Sequence, residues 1–136
     1  MRVGIAGYGV VGKTRHQSIE SNTSYQVTAI SESSEKARKS IPEGMTVYND
    51  YKTLIASAEL DVIFISLPNQ FAAEAACLSL QNGLHVFCEK PPARTHAELL
   101  EVEKQSLKFP ELKLMYGFNH RFHLSVEEAK LLIDSN

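Results

Sequence analysis

The first twelve residues constrain the fold of this chain more than any other stretch does. A short apolar run rich in Val and Ile leads into glycines spaced G-x-G-x-x-G, at Gly7, Gly9 and Gly12. An amphipathic helical pattern then runs from about residue 10 to residue 22. This order predicts a strand, a tight turn and a helix: Gly7 makes the turn, Gly9 lets a pyrophosphate approach the backbone, and Gly12 lets the helix pack on the strand. The helix N-terminus would present free N–H groups to the phosphates.

A second strand strengthens the prediction of a dinucleotide site. Residues 26–31 read as a buried strand that ends at Glu32, about 20 residues after Gly12, where dinucleotide-binding folds place an acid that binds ribose hydroxyls. An isolated Glu is usually a solvated loop residue, but the end of a strand at this distance favours the ribose role. The next arginine is Arg38, so a 2′-phosphate would meet an unpaired acid and no obvious cation. NAD is therefore favoured over NADP.

The composition limits the classes of protein to which this chain can belong. A chain of 136 residues, 43% of them hydrophobic, can form one domain with a full core. The net charge of −2 and the lack of a basic run argue against nucleic-acid partners. The apolar stretches fall short of the roughly 20 residues that span a membrane, and the first strand leaves no room for a signal peptide. Cys77 and Cys88 are too far apart for a CxxC motif, so we expect a cytoplasmic protein without a metal site.

Strand and helix patterns alternate through the rest of the chain. Beyond the first two, strands are predicted over residues 45–48, 61–67, 85–88 and 112–118. Five further helices are predicted from their capping residues. The first covers residues 34–41 with Ser33 or Ser34 as N-cap, the second follows Asp50 as N-cap, and the third runs from Asn69 as N-cap to a stop at Gly83. The fourth follows a capping box of Thr95 and Glu98, and the fifth follows a capping pair of Ser125 and Glu128. Parallel strands joined by helices predict an α/β fold, a doubly wound parallel (Rossmann) sheet of about six strands.

Several polar residues follow directly on predicted strands, and the carboxyl ends of parallel strands line one crevice. Lys90 is the best candidate for chemistry, because it follows the fifth strand and is held between Glu89 and Pro91. Beside a nicotinamide ring, its ammonium would hydrogen-bond a substrate hydroxyl and stabilise the alkoxide from which hydride is transferred. The competing interpretation is a surface lysine paired with a carboxylate. Glu89 would either orient Lys90 or contact the cofactor ribose.

Other polar residues in the chain have structural explanations. Asn69 is predicted to be a helix N-cap, a role that is compatible with facing a cofactor. His120 is a candidate base, but the sequence shows no carboxylate partner for it. The histidines elsewhere, His16, His85 and His96, are predicted to be structural.

Four segments together resemble the Gfo/Idh/MocA oxidoreductase family: Gly7–Gly12, Leu67-Pro68-Asn69, residues 85–91 and residues 116–122. The resemblance covers essentially the whole chain and is most specific in the Glu-Lys-Pro tripeptide after a strand that reads H-V-x-C. It implies a nicotinamide-dependent dehydrogenase or reductase acting on a sugar, cyclitol or related small molecule, with Lys90 beside the nicotinamide and the substrate. The expected cofactor contacts are Gly7, Tyr8, Gly9, Val10, Val11, Gly12, Glu32, Leu67, Pro68, Asn69, Glu89, Lys90 and Asn119.

The chain departs from the family pattern near two of these motifs. The family often has Thr or Ser before Pro-Asn and histidines soon after, whereas this chain has Leu67, Gln70, Phe71 and Ala72. Pro92 replaces the aliphatic residue that usually follows Glu-Lys-Pro. The first difference puts cofactor and substrate contacts from Leu67, Gln70, Phe71 and Ala72 in question, and the second is expected to alter the local turn.

The largest departure concerns the second domain. The chain ends where the family begins a second α/β domain, which carries most substrate contacts, the proton-transfer residues and commonly the oligomer interface. We therefore expect residues 1–123 to form the dinucleotide-binding domain and residues 124–136 to form a helix that leads toward an absent substrate domain. Such a chain would bind NAD(H) with negligible turnover, and the full-length protein would be a homo-oligomer acting on a sugar-like substrate.

Two other interpretations remain open. One is a short natural protein that binds NAD(H) without catalysis and senses redox state or regulates a partner. Lys90 separates it from a dehydrogenase, because a regulator has no need of that lysine. The other is a methyltransferase that uses the glycine loop for a nucleoside cofactor, which leaves the Glu-Lys-Pro segment without a role.

Overall fold

A single parallel sheet of six strands organises the molecule, and the computed structural model describes residues 1–135. The strand order is β3-β2-β1-β4-β5-β6, and every neighbouring pair is parallel. The strands are β1 Arg2–Ala6, β2 Gln26–Ser31, β3 Thr46–Tyr48, β4 Val62–Ile65, β5 His85–Cys88 and β6 Leu114–Tyr116. The predicted doubly wound α/β sheet is confirmed.

Helices connect these strands and cover both faces of the sheet. They are α1 Val10–Glu20, α2 Glu35–Arg38, α3 Tyr51–Ser57, α4 Asn69–Gln81, α5 His96–Lys108 and α6 Leu124–Asp134, with a 3₁₀ turn over Asn119–Phe122. Strand order reverses between β1 and β4, so a crevice opens at their carboxyl ends, where such sheets bind ligands. No helix within residues 1–135 is both long and apolar enough to cross a membrane.

Two apolar clusters hold the helices on the sheet. On one face, Ile63, Ile65 and Val86 pack with α3, α4 and Val102 of α5. The small side chains of α4 are fully or almost fully buried there, which lets this helix lie close to the strands. On the other face, Val3, Ile5 and Ile30 pack with Ile19 of α1. Because the strands are covered on both sides, they read as continuous apolar runs.

Three predicted helix starts are confirmed by their caps. The side chain of Ser34 accepts a hydrogen bond from the N–H of Ala37, and that of Asp50 accepts one from Thr53 at 2.8 Å. The hydroxyl of Thr95 accepts one from the N–H of Glu98. The Glu98 carboxylate, which forms the other half of the predicted capping box, is held mainly by the N–H and the guanidinium of Arg94, with a smaller contribution from the backbone N–H of Thr95.

Two predicted N-caps are wrong. Asn69 is the first residue of α4, and Pro68 occupies the N-cap position without a side-chain bond. The fixed extended geometry of Pro68 starts the helix by itself, and its carbonyl accepts from the N–H of Phe71. Likewise, α6 begins one residue before Ser125, because the 3₁₀ turn delivers His123 in an extended conformation at the N-cap.

The last helix differs from the others in its packing. Every residue of α6 is exposed, including its predicted apolar stripe of Val126, Ala129, Leu132 and Ile133. The helix therefore adds nothing to the two apolar clusters that stabilise the sheet, and the site described below does not depend on it.

Candidate functional site

The glycine loop between β1 and α1 forms the floor of the site. Gly7 has a φ of +89°, and a Cβ at this position would lie 2.6 Å from the carbonyl oxygen of Ser66. A Cβ on Gly12 would overlap the carbonyl oxygen of Gly7, so only glycine lets α1 approach the loop this closely. No atom lies within 4 Å of a Cβ placed on Gly9. Gly7 and Gly12 therefore shape the turn as predicted, while the backbone at Gly9 is open to a ligand.

The start of α1 is free to meet an anion. Gly9 is the N-cap and supplies no side chain, so the first N–H groups of the helix have no capping side chain. Val10 and Val11 are exposed on this first turn. The side chain of Tyr8 is buried beneath the loop, so Tyr8 can offer only its backbone to the crevice.

Glu32 lies beside this loop, at the end of β2. Its Oε2 accepts a hydrogen bond from the N–H of Tyr8 at 2.9 Å, and its Oε1 accepts one from the N–H of Ser34 at 2.8 Å. Two backbone donors thus fix the carboxylate, yet each oxygen keeps a lone pair for another donor. A fixed carboxylate with spare acceptor capacity is suited to bind a pair of adjacent hydroxyls.

A cation also lies at the end of β2, which the sequence analysis did not expect. Because α2 has only one turn, Arg38 folds back so that its guanidinium donates to the carbonyl oxygen of Glu32 at 3.1 Å and to Oδ1 of Asn49 at 2.7 Å. The expectation that no cation lies near Glu32 is therefore wrong. The guanidinium is nevertheless engaged by two neutral acceptors rather than by the Glu32 carboxylate.

A cavity of about 510 Å³ opens beside Glu32, at the carboxyl ends of the strands. It brings together four predicted residues, Gly9, Glu32, Leu67 and Pro68. It is also lined by residues that the sequence analysis did not assign to the site: Ser31, Ser33, Asn49, Asp50, Tyr51, Ser66 and Phe71. Asn49 and Tyr51 could have been assigned to the site from the sequence, because they follow the third strand and the carboxyl ends of all the parallel strands lie along the same crevice.

Two aromatic rings form one wall of this cavity. The rings of Tyr51 and Phe71 lie 5.9 Å apart between centroids, and Phe71 is partly exposed. The Tyr51 hydroxyl donates to Glu74 at 2.6 Å, and Lys52 donates to the other oxygen of the same carboxylate. Burial, and then the Glu74 carboxylate, raise the pKa of Tyr51. This network fixes the Tyr51 ring, so the wall offers an apolar aromatic surface, with its two rings tilted by 44°, of the kind that lines ligand pockets.

The segment after β5 forms the other half of the crevice. Lys90 is exposed, and within residues 1–135 it has no carboxylate within ion-pair distance. The surface ion pair considered as its competing role is therefore not formed. The neighbouring Glu89 carboxylate instead binds Arg15 of α1, with Nε to Oε1 at 2.6 Å. The peptide bond between Lys90 and Pro91 is cis.

The remaining polar residues divide into structural and exposed ones. His16 is buried and hydrogen-bonded to Tyr8, and His85 accepts the backbone N–H of Lys113 at 3.0 Å. Asn119 is exposed in the 3₁₀ turn after β6, on the side of the sheet that carries Lys90. His120 stacks on His123 and, in the part of the chain that the structure describes, has no carboxylate partner. The structure therefore gives no partner that would make His120 a base.

Comparison with known proteins agrees with this geometry. The model of the oxidoreductase family with an NAD-binding Rossmann fold, Gfo/Idh/MocA, matches residues 1–117. D-glucoside 3-dehydrogenase of Escherichia coli is 29% identical over 134 residues, which are 96% of this chain and 38% of that protein. Inositol 2-dehydrogenase of Salmonella typhimurium is 27% identical, over 99% of this chain and 42% of that protein. The chain thus spans about 40% of the length of these relatives.

Solved structures give the same result. The apo scyllo-inositol dehydrogenase of Lactobacillus casei superposes with a TM-score of 0.92 at 26% identity, over 99% of this chain and 41% of that one. The same enzyme with bound cofactor NAD(H) and scyllo-inositol superposes with a TM-score of 0.88 at 27% identity, over the same shares of the two chains. This chain therefore belongs to the Gfo/Idh/MocA oxidoreductase family, and its fold is that family's NAD-binding Rossmann domain.

Proposed function

We propose that this chain is the cofactor-binding part of an NAD-dependent dehydrogenase or reductase whose substrate is a sugar, cyclitol or similar small hydroxyl or carbonyl compound. Relatives that match 96% and 99% of this chain are named for such substrates, a D-glucoside and inositol. The observation that carries the proposal is the Glu32 carboxylate, which two backbone N–H groups hold at the rim of a cavity beside the open glycine loop.

Each half of the site would bind a different part of the cofactor. The N–H groups at Gly9 and the start of α1 would hold the pyrophosphate, and Glu32 would accept hydrogen bonds from the adenosine ribose. The wall made by Tyr51 and Phe71 would receive the adenine. The nicotinamide would then reach the segment after β5, and it supplies the hydride chemistry when bound. Asn69, Asn119 and the backbone of Glu89 and Lys90 border that second half.

Lys90 would act on the substrate. Its ammonium is exposed and unpaired among the described residues, so it is free to donate to a substrate oxygen. A cation at that oxygen stabilises the alkoxide that forms when the substrate hydroxyl loses its proton, or when a substrate carbonyl accepts hydride in the reverse direction. Most other substrate contacts and the proton-transfer residues would come from outside residues 1–135, so we expect this chain to bind NADH with negligible turnover.

The carboxylate of Glu32 also sets the expected cofactor preference. It would repel the 2′-phosphate of NADP, and the Arg38 guanidinium that could offset this repulsion is already bound to Asn49 and to a backbone carbonyl. NAD would therefore bind more tightly than NADP. One relative, D-xylose 1-dehydrogenase (NADP(+)) 2 of Haloferax volcanii, uses the other cofactor by name, so the preference needs its own test.

Titration with NADH and NADPH, followed by nicotinamide fluorescence, tests the proposal directly, because the chain has no Trp to interfere. We expect NADH to bind more tightly than NADPH, and Glu32→Ala to weaken NADH binding by about tenfold, which corresponds to losing hydrogen bonds worth roughly 1.4 kcal/mol. Glu35→Ala, in the exposed helix α2, is the matched control and should bind as the wild type does. Failure of the wild-type chain to bind either nucleotide would refute the proposed function.

A further inference from the structure

Arg15 connects α1 to the segment that carries Lys90. Its Nε donates to Oε1 of Glu89 at 2.6 Å, and its Nη2 contacts the same oxygen. The two side chains are only 20% and 14% exposed, respectively, although the residues are 74 positions apart. This ion pair is therefore a mostly buried connection between two elements of the crevice.

Aromatic side chains fix the guanidinium of Arg15 in place. Its Cζ lies 4.9 Å from the centroid of the Phe87 ring. Phe87 in turn stacks on Phe64, its neighbour on β4, with centroids 4.9 Å apart and planes 26° apart. A guanidinium that is stacked on a ring and also bonded to a carboxylate has little freedom to reorient.

The Glu89 carboxylate also lies close to Gly117, the residue after β6. A Cβ on Gly117 would lie 3.0 Å from Oε2 of Glu89 and 3.3 Å from Oε1. The N–H of Glu89 also donates to the carbonyl of Ile65 at 2.9 Å. Thus both the side chain and the backbone of Glu89 are held, whereas the next residue, Lys90, has no side-chain partner among residues 1–135.

We propose that Arg15 is a positioning residue for the nicotinamide end of the site, acting through Glu89 on the backbone that presents Lys90. The inference rests on the proposed function and deepens it. Without Arg15, the Glu89 carboxylate would remain in a poorly solvated place without its counter-ion, and it would move toward water. Because Lys90 is the next residue, this movement would shift the wall against which the nicotinamide lies.

The proposal predicts different effects on the two ends of the cofactor, because of the position of the cavity beside Glu32 that would receive the adenosine. Its lining comes from the glycine loop, the ends of β2 and β4, the segment after β3, and α4. Neither Arg15 nor the segment from Glu89 to Lys90 contributes to it. Loss of Arg15 should therefore weaken a ligand that carries nicotinamide more than a ligand that stops at the second ribose.

Calorimetric titration of the purified chain with NADH and with ADP-ribose tests the inference. For Arg15→Gln we expect NADH to bind about fivefold more weakly or worse, while ADP-ribose changes by less than about twofold, since fivefold corresponds to roughly 1 kcal/mol. Arg15→Lys keeps the charge and should restore part of the NADH affinity. Arg2→Gln is the matched control, because it removes an arginine ion pair with Glu59 and Asp61 at the amino end of β1, whereas the site lies at the carboxyl ends of the strands.

The outcomes separate the two proposals. Equal losses for NADH and ADP-ribose, or no loss for either, would overturn the role of Arg15 and leave the proposed function standing. A wild-type chain that binds neither ligand would overturn both. If Arg15→Gln fails to fold, Glu89→Gln removes the same charge pair while keeping the shape of the side chain, and it should show the same preferential loss of NADH.

Discussion

The phenol oxygen of Tyr8 lies 2.6 Å from Nδ1 of His16, in a buried hydrogen bond that joins the glycine loop to α1. The two rings also meet edge to face, with centroids 5.7 Å apart. Nε2 of His16 lies 3.2 Å from the Glu20 carboxylate but is not aligned for a hydrogen bond. Since the N–H of Tyr8 holds the Glu32 carboxylate, Tyr8 connects α1, the glycine loop and the end of β2.

Replacing Tyr8 with Phe should therefore destabilise the chain. Tyr8→Phe keeps the ring but leaves Nδ1 of His16 buried without its partner, which costs about 1–3 kcal/mol. Urea unfolding followed by circular dichroism would measure the loss. The control is Tyr25→Phe, because Tyr25 is 38% exposed and its change should stay within about 0.5 kcal/mol. Equal losses in the two variants would show that the Tyr8 bond adds nothing to stability.

Two alanine substitutions should separate folding from binding within the glycine loop. Gly12→Ala places a Cβ against the carbonyl oxygen of Gly7, so it should force α1 away from the loop and lower the free energy of unfolding by about 1–3 kcal/mol. Gly9→Ala meets no protein atom within 4 Å and keeps an ordinary φ of −70°, so it should fold normally. It should still weaken NADH binding, because its methyl group would occupy the approach to the backbone. Thermal unfolding and NADH titration of both variants check this difference, and an unstable Gly9→Ala would contradict it.

The cofactor preference should depend on Glu32 and Arg38 together. Glu32→Ala removes the charge that repels a 2′-phosphate and leaves the Arg38 guanidinium nearby, so it should raise the affinity for NADPH by about tenfold, or roughly 1.4 kcal/mol, and thereby change the ratio of NADPH to NADH affinity. Adding Arg38→Gln to that variant should cancel most of the rise. Fluorescence titration with both nucleotides measures the ratio. A rise that persists without Arg38 would mean that another group accepts the phosphate.

The ion pair and hydrogen bond at Glu74 predict a pH dependence of stability. Lys52, and next the Tyr51 hydroxyl, lower the pKa of the Glu74 carboxyl below its usual 4.5. A carboxyl whose pKa is lower in the folded state stabilises the fold above its unfolded pKa and loses that contribution as pH falls through the folded value. Because Glu74 is half exposed, the contribution should be below about 1 kcal/mol.

Urea unfolding at several pH values between about 6 and 3 would measure this dependence. We expect Glu74→Gln to lose less stability than the wild type as the pH falls through this range. Glu103→Gln, which changes an exposed side chain on α5 without a hydrogen-bond partner among residues 1–135, should follow the wild-type curve. Parallel curves for the wild type and Glu74→Gln would rule out the contribution.

Local sequence signals predicted the fold well and the site only in part. The glycine spacing, the buried strands and the caps at Asp50 and Thr95 act within a few residues, so they could be read from the chain. The side chain of Asn69 is typical of an N-cap, so the sequence predicted a helix that begins at the next residue. The helix begins one residue earlier, at Asn69, because Pro68 occupies the N-cap position. The return of Arg38 to Glu32 depends on the length of α2, which the pattern overestimated.

Contacts between distant segments could not be predicted. The pair of Arg15 and Glu89 joins residues 74 positions apart, and nothing near either residue indicates the other. The cavity wall made by Tyr51 and Phe71 requires α3 and α4, which follow strands on opposite sides of β1, to pack on the same face of the sheet. Strand order places such residues at one edge of the sheet, but side-chain packing decides which of them meet.

The cysteines should report on opening of the fold. Cys88 is fully buried, and burial, with a smaller effect from Glu89, raises the pKa of its thiol to about 12. Only an accessible thiolate reacts with disulfide reagents, so in Cys77→Ser the remaining thiol should react no faster than the chain unfolds. In Cys88→Ala the remaining Cys77 is partly exposed and should react faster in the folded state. Labelling rates for both variants, with and without low concentrations of urea, measure the difference. Urea should accelerate the reaction of Cys88 in step with unfolding, whereas rapid labelling of Cys88 without urea would contradict its burial in the core.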